Sequence, residues 1–231
     1  MKLNLRSIAI ASVLGMAALS AQANLTIPIN FTVSNSVQKF PDEVLGAMGL
    51  AYITIEARGT ATTVGTVFQT EGQTNNNAYN MPITKIVIGN ALNIASGSAV
   101  GSALVFSRYD MDTGTRFLQL TLANFTIDYV RKQVLADVTP LGKPTVKQQA
   151  IYNYHVATPL ALKYKFPVSI TGHEVLDKLM LTPETKASYT QALELQTYEV
   201  FALDLDYGSL TQDISLKLRA RPISTTPYVA K

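Results

Sequence analysis

Apolar residues in this chain recur at every second position, in runs too short to serve as the buried stripe of a helix. The clearest run is Leu25-Thr26-Ile27-Pro28-Ile29-Asn30-Phe31-Thr32-Val33, in which Leu25, Ile27, Ile29, Phe31 and Val33 share one face at period two. Pro28 falls on the opposite face and has no amide hydrogen, which confines the strand to a sheet edge or to pairing on one side only. Runs rich in Ile, Val, Leu and Thr follow at 51–57, 62–70, 83–88, 103–109, 116–129, 133–138, 149–157 and 160–170. The small-residue stretch 95–103 reads as a tight bend or a close sheet contact. Asp110-Met111-Asp112-Thr113-Gly114 has the composition of a hairpin turn, with glycine supplying the positive φ. Gly72 to Asn80, with no apolar periodicity, is predicted to be an exposed loop.

Helix signals are few. Pro41-Asp42-Glu43-Val44-Leu45 suits a first turn, with two carboxylates at the positive end of the dipole, and Gly46 and Gly49 are expected to stop it quickly. Thr182-Pro183-Glu184-Thr185-Lys186 opens a better helix, running to about Gln196, with Thr182 as cap and Pro183 in the first helical position. Tyr198 to Tyr207 and Asp213 to Arg219 read as a closing hairpin. Together these signals predict an all-β fold: a β-sandwich or partly closed antiparallel barrel of about ten strands, with one short helix near 182–196.

Lys2 and Arg6 precede an apolar run from Ile8 to Leu19, and Ala21-Gln22-Ala23 follows, the layout of a bacterial secretory signal cut before Asn24. The expected destination is the periplasm, cell surface or surroundings of a Gram-negative-type bacterium. Of 231 residues, 208 then remain, enough for a single β domain spanning 24–231, with 139–144 as the best candidate linker if there are two. Without Lys2 and Arg6, the 19 basic residues fall to 17 against 16 acidic ones, so the clustered positive surface that nucleic acid needs is not expected. The chain has no cysteine, which excludes disulfides and a lipidated cysteine anchor. After the signal, no apolar stretch approaches the ~20 residues of a membrane-spanning helix. An outer-membrane barrel is disfavoured because residues 227–231 do not form a terminal aromatic strand.

Candidate chemistry is sparse. With only His155 and His173, and no thiolate, a zinc site would need both imidazoles plus carboxylates, and no metal site or other cofactor is expected. Asp110 to Gly114 and Asp204 to Gly208 share the Asp-x-Asp-x-Gly start of a calcium loop, yet the place of its bidentate glutamate is held by Thr121 and Ser215. Glycine turns after strands explain both segments. Gly97-Ser98-Ala99-Val100-Gly101 is out of register for a nucleophile elbow. Glu174, Glu194, Glu199, Asp204 and Asp206 are carboxylates that could pair for glycoside hydrolysis, although the absence of tryptophan weakens a glycan cleft. The eleven tyrosines suit either contact surfaces or ordinary strands. No catalytic residue is named.

Three function classes follow. The first is an exported, non-enzymatic structural or interaction protein, in which Leu25, Ile27, Ile29, Phe31 and Val33 form an interface by adding a strand to a protein partner or to another copy. The second is a binding module holding a lipid or other apolar small molecule in a cavity. The third and least favoured is a carboxylate-based hydrolase.

Overall fold

The computed structural model describes residues 25–27, 29, 32–70, 73–88, 94–110, 112–165, 169–220 and 222–230, so the export signal expected at 1–23 lies outside the described residues. Twelve strands make one antiparallel sheet: β1 (Leu25–Ile27), β2 (Asn35–Lys39), β3 (Ile53–Gly59), β4 (Thr62–Thr70), β5 (Gln73–Pro82), β6 (Lys85–Ile88), β7 (Ile94–Tyr109), β8 (Arg116–Asp128), β9 (Gln133–Pro140), β10 (Val146–Lys165), β11 (Ser169–Leu181) and β12 (Ser209–Leu216). Their order is β1-β6-β7-β8-β9-β10-β11-β12-β2-β5-β4, with β3 beside the second half of β7. Among the described residues two α-helices accompany them, α1 (Asp42–Leu50) and α2 (Pro183–Ala192). The fold is all-β, a sheet curled into a partly closed barrel.

Closure depends on one bend. Ile83 N donates to Ser34 O on the β2 side at 2.9 Å, and the next amide, Thr84 N, donates to Ser98 O on β7 at 2.8 Å. The β5–β6 run therefore belongs to both ends of the sheet and draws them together. β3 is tied to β5 by side chains instead of backbone. Asn75 Oδ1 accepts from Ile55 N at 2.6 Å, Asn75 Nδ2 donates to Ile53 O at 3.2 Å, and Tyr79 Oη donates to Ile55 O at 3.0 Å. A buried carboxamide here replaces the missing ladder partner.

A row of bulges crosses the wall. Register shifts between Ala99 and Ala103, Ala123 and Thr126, and Val146 and Gln149 contain Gly101 (φ 88°), Asn124 (φ 54°) and Gln148 (φ 48°) respectively. Each supplies the left-handed residue that such an insertion requires.

Apolar clusters fill both ends of the barrel. At one end Phe40, Tyr79, Phe106, Tyr189 and Tyr207 pack edge to face, with Phe106 and Tyr189 centroids 5.1 Å apart, Tyr152 lies tilted against Tyr207, and α1 adds Leu45 and Met48. At the other end Ile27, Ile83, Ile86, Ile214 and Leu216 form a smaller cluster.

Several expectations are corrected. The run 25–33 is not one strand: Thr32 N bonds Ile29 O in a helical turn, and Phe31 lies outside the described residues. Pairing resumes at β2 with Ser34, Ser36 and Gln38 inward, so the turn has switched the parity of the buried face. That strand escaped the sequence reading because its inward residues are polar. The supposed loop 72–80 is largely β5, with Asn75 bridging to β3 and Asn77 Oδ1 accepting from Thr66 N in the β4 bulge at 2.9 Å. Tyr198 to Tyr207 contains a 3-10 turn at Val200–Asp204, not a strand, because the preceding Glu199 is held by Arg108. His173 lies mid-strand in β11 and not in a turn. α1 runs through Gly46 and Gly49 to Leu50, since Gly49 packs where any Cβ would strike Thr70. α2 begins as predicted, Thr182 Oγ1 accepting from Thr185 N at 3.3 Å, and stops at Ala192. Residues 139–144 form the β9–β10 hairpin turn.

Candidate functional site

A few buried polar side chains enter an otherwise apolar interior. Adjacent strands present Glu174, Gln212 and Ser36 in one register row, next to Gln38 and Ser34. Glu174, 3% exposed, accepts from Tyr129 Oη at 2.7 Å. Burial pushes its carboxyl above the usual carboxylate range, and the tyrosine hydrogen bond only partly offsets this. Burial and the adjacent Glu174 likewise raise the Tyr129 hydroxyl. Gln38 Nε2 donates to Tyr152 Oη at 3.1 Å, and Gln212 is buried beside Tyr129. A cavity of about 20 Å³, which Ser36, Gln38, Tyr152 and Gln212 line together with apolar side chains such as Met81, Phe125 and Leu210, has room for about one water and none for an acyl chain.

Outside, both histidines form cross-strand pairs: His155 Nδ1 lies 2.8 Å from Asp177 Oδ1, and His173 Nδ1 lies 2.8 Å from Asp213 Oδ1. The second pair borders an open groove of about 470 Å³ with Lys163, Thr171, Ser215 and Asn35. All four side chains are well exposed or partly so, and the repeated arrangement is that of ordinary cross-strand partners. Among the described residues, no three His, Asp or Glu side chains gather as a metal site.

The other acidic candidates are dispersed. Glu199 takes a bidentate contact from Arg108, at 2.8 and 3.1 Å, and also accepts from Gln196 N. Asp204 pairs with Lys186, and Asp206 Oδ1 accepts from Gly208 N at 2.8 Å. Asp110 Oδ1 accepts from the Thr113 amide and hydroxyl and from Asp112 N, bonds that hold its carboxyl below the ordinary value and close the predicted hairpin turn. Glu194 contributes its backbone oxygen to Arg108.

Of the five residues assigned to strand addition, Leu25 and Ile27 pair with Ile88 and Ile86 of β6 in the same chain. Ile29 sits in the turn, Val33 N donates to Ser215 O at 2.8 Å, and Phe31 lies outside the described residues. Sequence reading missed a different surface. β4 is the last strand of the sheet order, and among the described residues its outer edge has no strand partner. Its nine residues, Thr-Thr-Val-Gly-Thr-Val-Phe-Gln-Thr, carry no charge and no proline, with Val64 37% and Val67 59% exposed. The edge therefore lacks the lysine or proline that usually blocks pairing, a signal that was readable in the sequence.

At the bulge row a second polar centre is fully bonded. Asp137, 5% exposed, accepts from Asn124 Nδ2 and Lys147 Nζ, both at 2.8 Å, and from Gln148 N at 3.0 Å and Gln148 Nε2 at 3.2 Å. Burial alone would raise its carboxyl, but the Lys147, Asn124 and Gln148 bonds outweigh it and hold it below the usual range.

No family model matches the sequence, and no curated protein does. Among solved structures, the C-terminal domain of HtaA from Corynebacterium glutamicum is similar at a TM-score of 0.44 and 14% identity, covering 80% of this chain and 97% of that domain. That likeness is too remote to transfer a function.

Proposed function

We propose that this is an exported, non-enzymatic contact protein that assembles by strand addition, with β4 as acceptor edge and segment 25–33 of another copy as donor. The observation that carries the reading is the nine-residue, uncharged outer edge of β4. Each ladder bond gained contributes ~1 kcal/mol net, so several in a row with alternate apolar side chains give useful affinity. Within its own chain, Leu25–Ile27 holds β6 through only three paired residues, a short attachment for a donor to leave. A lipid-carrier role gains no support from a cavity of about 20 Å³.

The test is a fluorescent peptide of sequence Leu25 to Val33 titrated into the full chain and into a Val64→Lys/Val67→Lys variant. Binding to the wild type that weakens at least tenfold in the variant, with unchanged circular dichroism, supports the reading. Equal binding to both, or none with Kd below ~1 mM, overturns it.

A further inference from the structure

The bulge row carries a clamp for an extended peptide, and its present occupant comes from this chain. The carboxamide of Asn124 grips Tyr228 at both backbone groups: Oδ1 accepts from Tyr228 N at 2.8 Å, and Nδ2 donates to Tyr228 O at 3.0 Å. These are the two bonds that a neighbouring strand would make to one residue.

The clamp is held ready from behind. Gly101 N donates to Asn124 Oδ1 at 3.0 Å, Asn124 Nδ2 donates to Asp137 Oδ2 at 2.8 Å, and Gln148 Nε2 donates to Asn124 O at 2.9 Å. These contacts fix the amide's orientation, its rotation and the left-handed backbone without help from the tail. The approach is also kept open by missing side chains. A Cβ on Gly101 would lie 3.0 Å from Thr226 O, and one on Gly59 would lie 3.0 Å from Tyr228 Cδ2.

The connection to this occupant is irregular. After β12 ends at Leu216, the described residues up to Tyr228 form no strand, and Val229 beyond it is 73% exposed. A segment seated by two side-chain-to-backbone bonds and reached through an irregular connection is well suited to exchange between copies.

We infer that the Asn124 notch is an exchange site that takes Thr226 to Tyr228 of a second copy in place of its own. β4 takes no part, so the inference stands independently of the edge-strand function. A short tether gives its own tail an effective concentration on the order of millimolar, which keeps the wild type mostly self-occupied in dilute solution.

Two single variants of the full chain form a complementary test. Tyr228→Pro removes the donated amide and leaves an intact notch with a disabled tail. Asn124→Gly keeps a residue that tolerates the left-handed backbone, removes both clamp groups and places no second carboxylate against Asp137, leaving a disabled notch and a free, intact tail. With Val64→Lys/Val67→Lys also present in both chains, so that β4 cannot take up a strand, sedimentation at several hundred micromolar should show each variant alone as a monomer. Their mixture should contain on the order of a quarter or more of its mass as a one-to-one complex, dispersed by excess peptide spanning 222–231. In case either variant folds poorly, the same labelled peptide is titrated into both and into wild type. It should bind the Tyr228→Pro chain at least tenfold more tightly than the other two. A mixture that sediments as monomers with no peptide preference for the Tyr228→Pro chain overturns the inference, as does equal peptide binding to all three. Because both partners carry the β4 lysine substitutions, the complex forms without the edge strand, which separates failure of this site from failure of the edge strand.

Discussion

Replacing Asp137 should destabilise the fold in a way that depends on both the residue substituted and the pH. The carboxylate is 5% exposed and accepts four hydrogen bonds, from Asn124, Lys147 and Gln148. Bonds to a charged acceptor contribute ~1.5–3 kcal/mol each, but Lys147 is 65% exposed and Gln148 is on the surface, so both can turn to water. What cannot be recovered is the Asn124 Nδ2 donor, buried with its residue 5% exposed, and part of the Gln148 amide. Asp137→Ala should therefore cost ~2–4 kcal/mol at pH 7. Asp137→Asn, whose amide oxygen can still accept from Asn124 and Gln148 N, should cost about half as much. Because the native carboxyl is held below its unfolded value of ~3.9, its stabilising share is full above that pH and is lost as pH falls through the depressed native value. Urea unfolding of the three proteins from pH 7 to pH 2.5 checks this, provided the slopes match. The gap between wild type and Asp137→Asn should narrow only below about pH 4. A gap under ~0.5 kcal/mol at pH 7, or one that stays constant into strong acid, refutes the reasoning.

The sign is opposite at Glu174, whose native carboxyl is raised, so wild-type stability should fall as pH rises past ~4.3 toward that raised value. Glu174→Gln should flatten this dependence and raise stability at pH 7; an unchanged pH slope in urea midpoints counts against a desolvated carboxyl. Burial raises the hydroxyls of Tyr79, Tyr129, Tyr152, Tyr154, Tyr189 and Tyr207. The 295 nm absorbance of these six should rise only together with alkaline loss of the β signal in circular dichroism, and earlier full ionisation would show the aromatic cluster to be open. Glu199→Ala leaves Arg108, 14% exposed, with the Leu193 and Glu194 carbonyls as acceptors and should cost ~1.5–3 kcal/mol, and Arg108→Leu should cost less in that background than alone; strict additivity in the double-mutant cycle would show that the pair is uncoupled.

Local alternation was enough to place most strands, the 110–114 turn and the start of α2, because a half-buried strand or a helix cap is written within a few residues. The elements it missed share one property. In β2 and just before it the buried positions are Ser34, Ser36 and Gln38, and in β5 they include Asn75, so polarity hid structure that distant partners satisfy. Tyr198 to Tyr207 failed for the converse reason, since β-favouring residues there are overruled by Arg108 reaching Glu199 from β7.

Candidate sites were less legible than the fold. The sequence displayed β4 as uncharged and free of proline, but only the strand order shows that it ends the sheet. It showed Asn124 and Tyr228 as two unremarkable residues, and only the bulge in β8 turns the carboxamide toward Tyr228. Composition and periodicity settled by themselves that this chain is all-β, since a period of two leaves no helical stripe to bury, but left a sandwich and a partly closed barrel both open. Tertiary structure decided which edge is left bare and which amide receives a strand, because both depend on hydrogen bonds between residues remote in the chain, and no local pattern encodes those meetings.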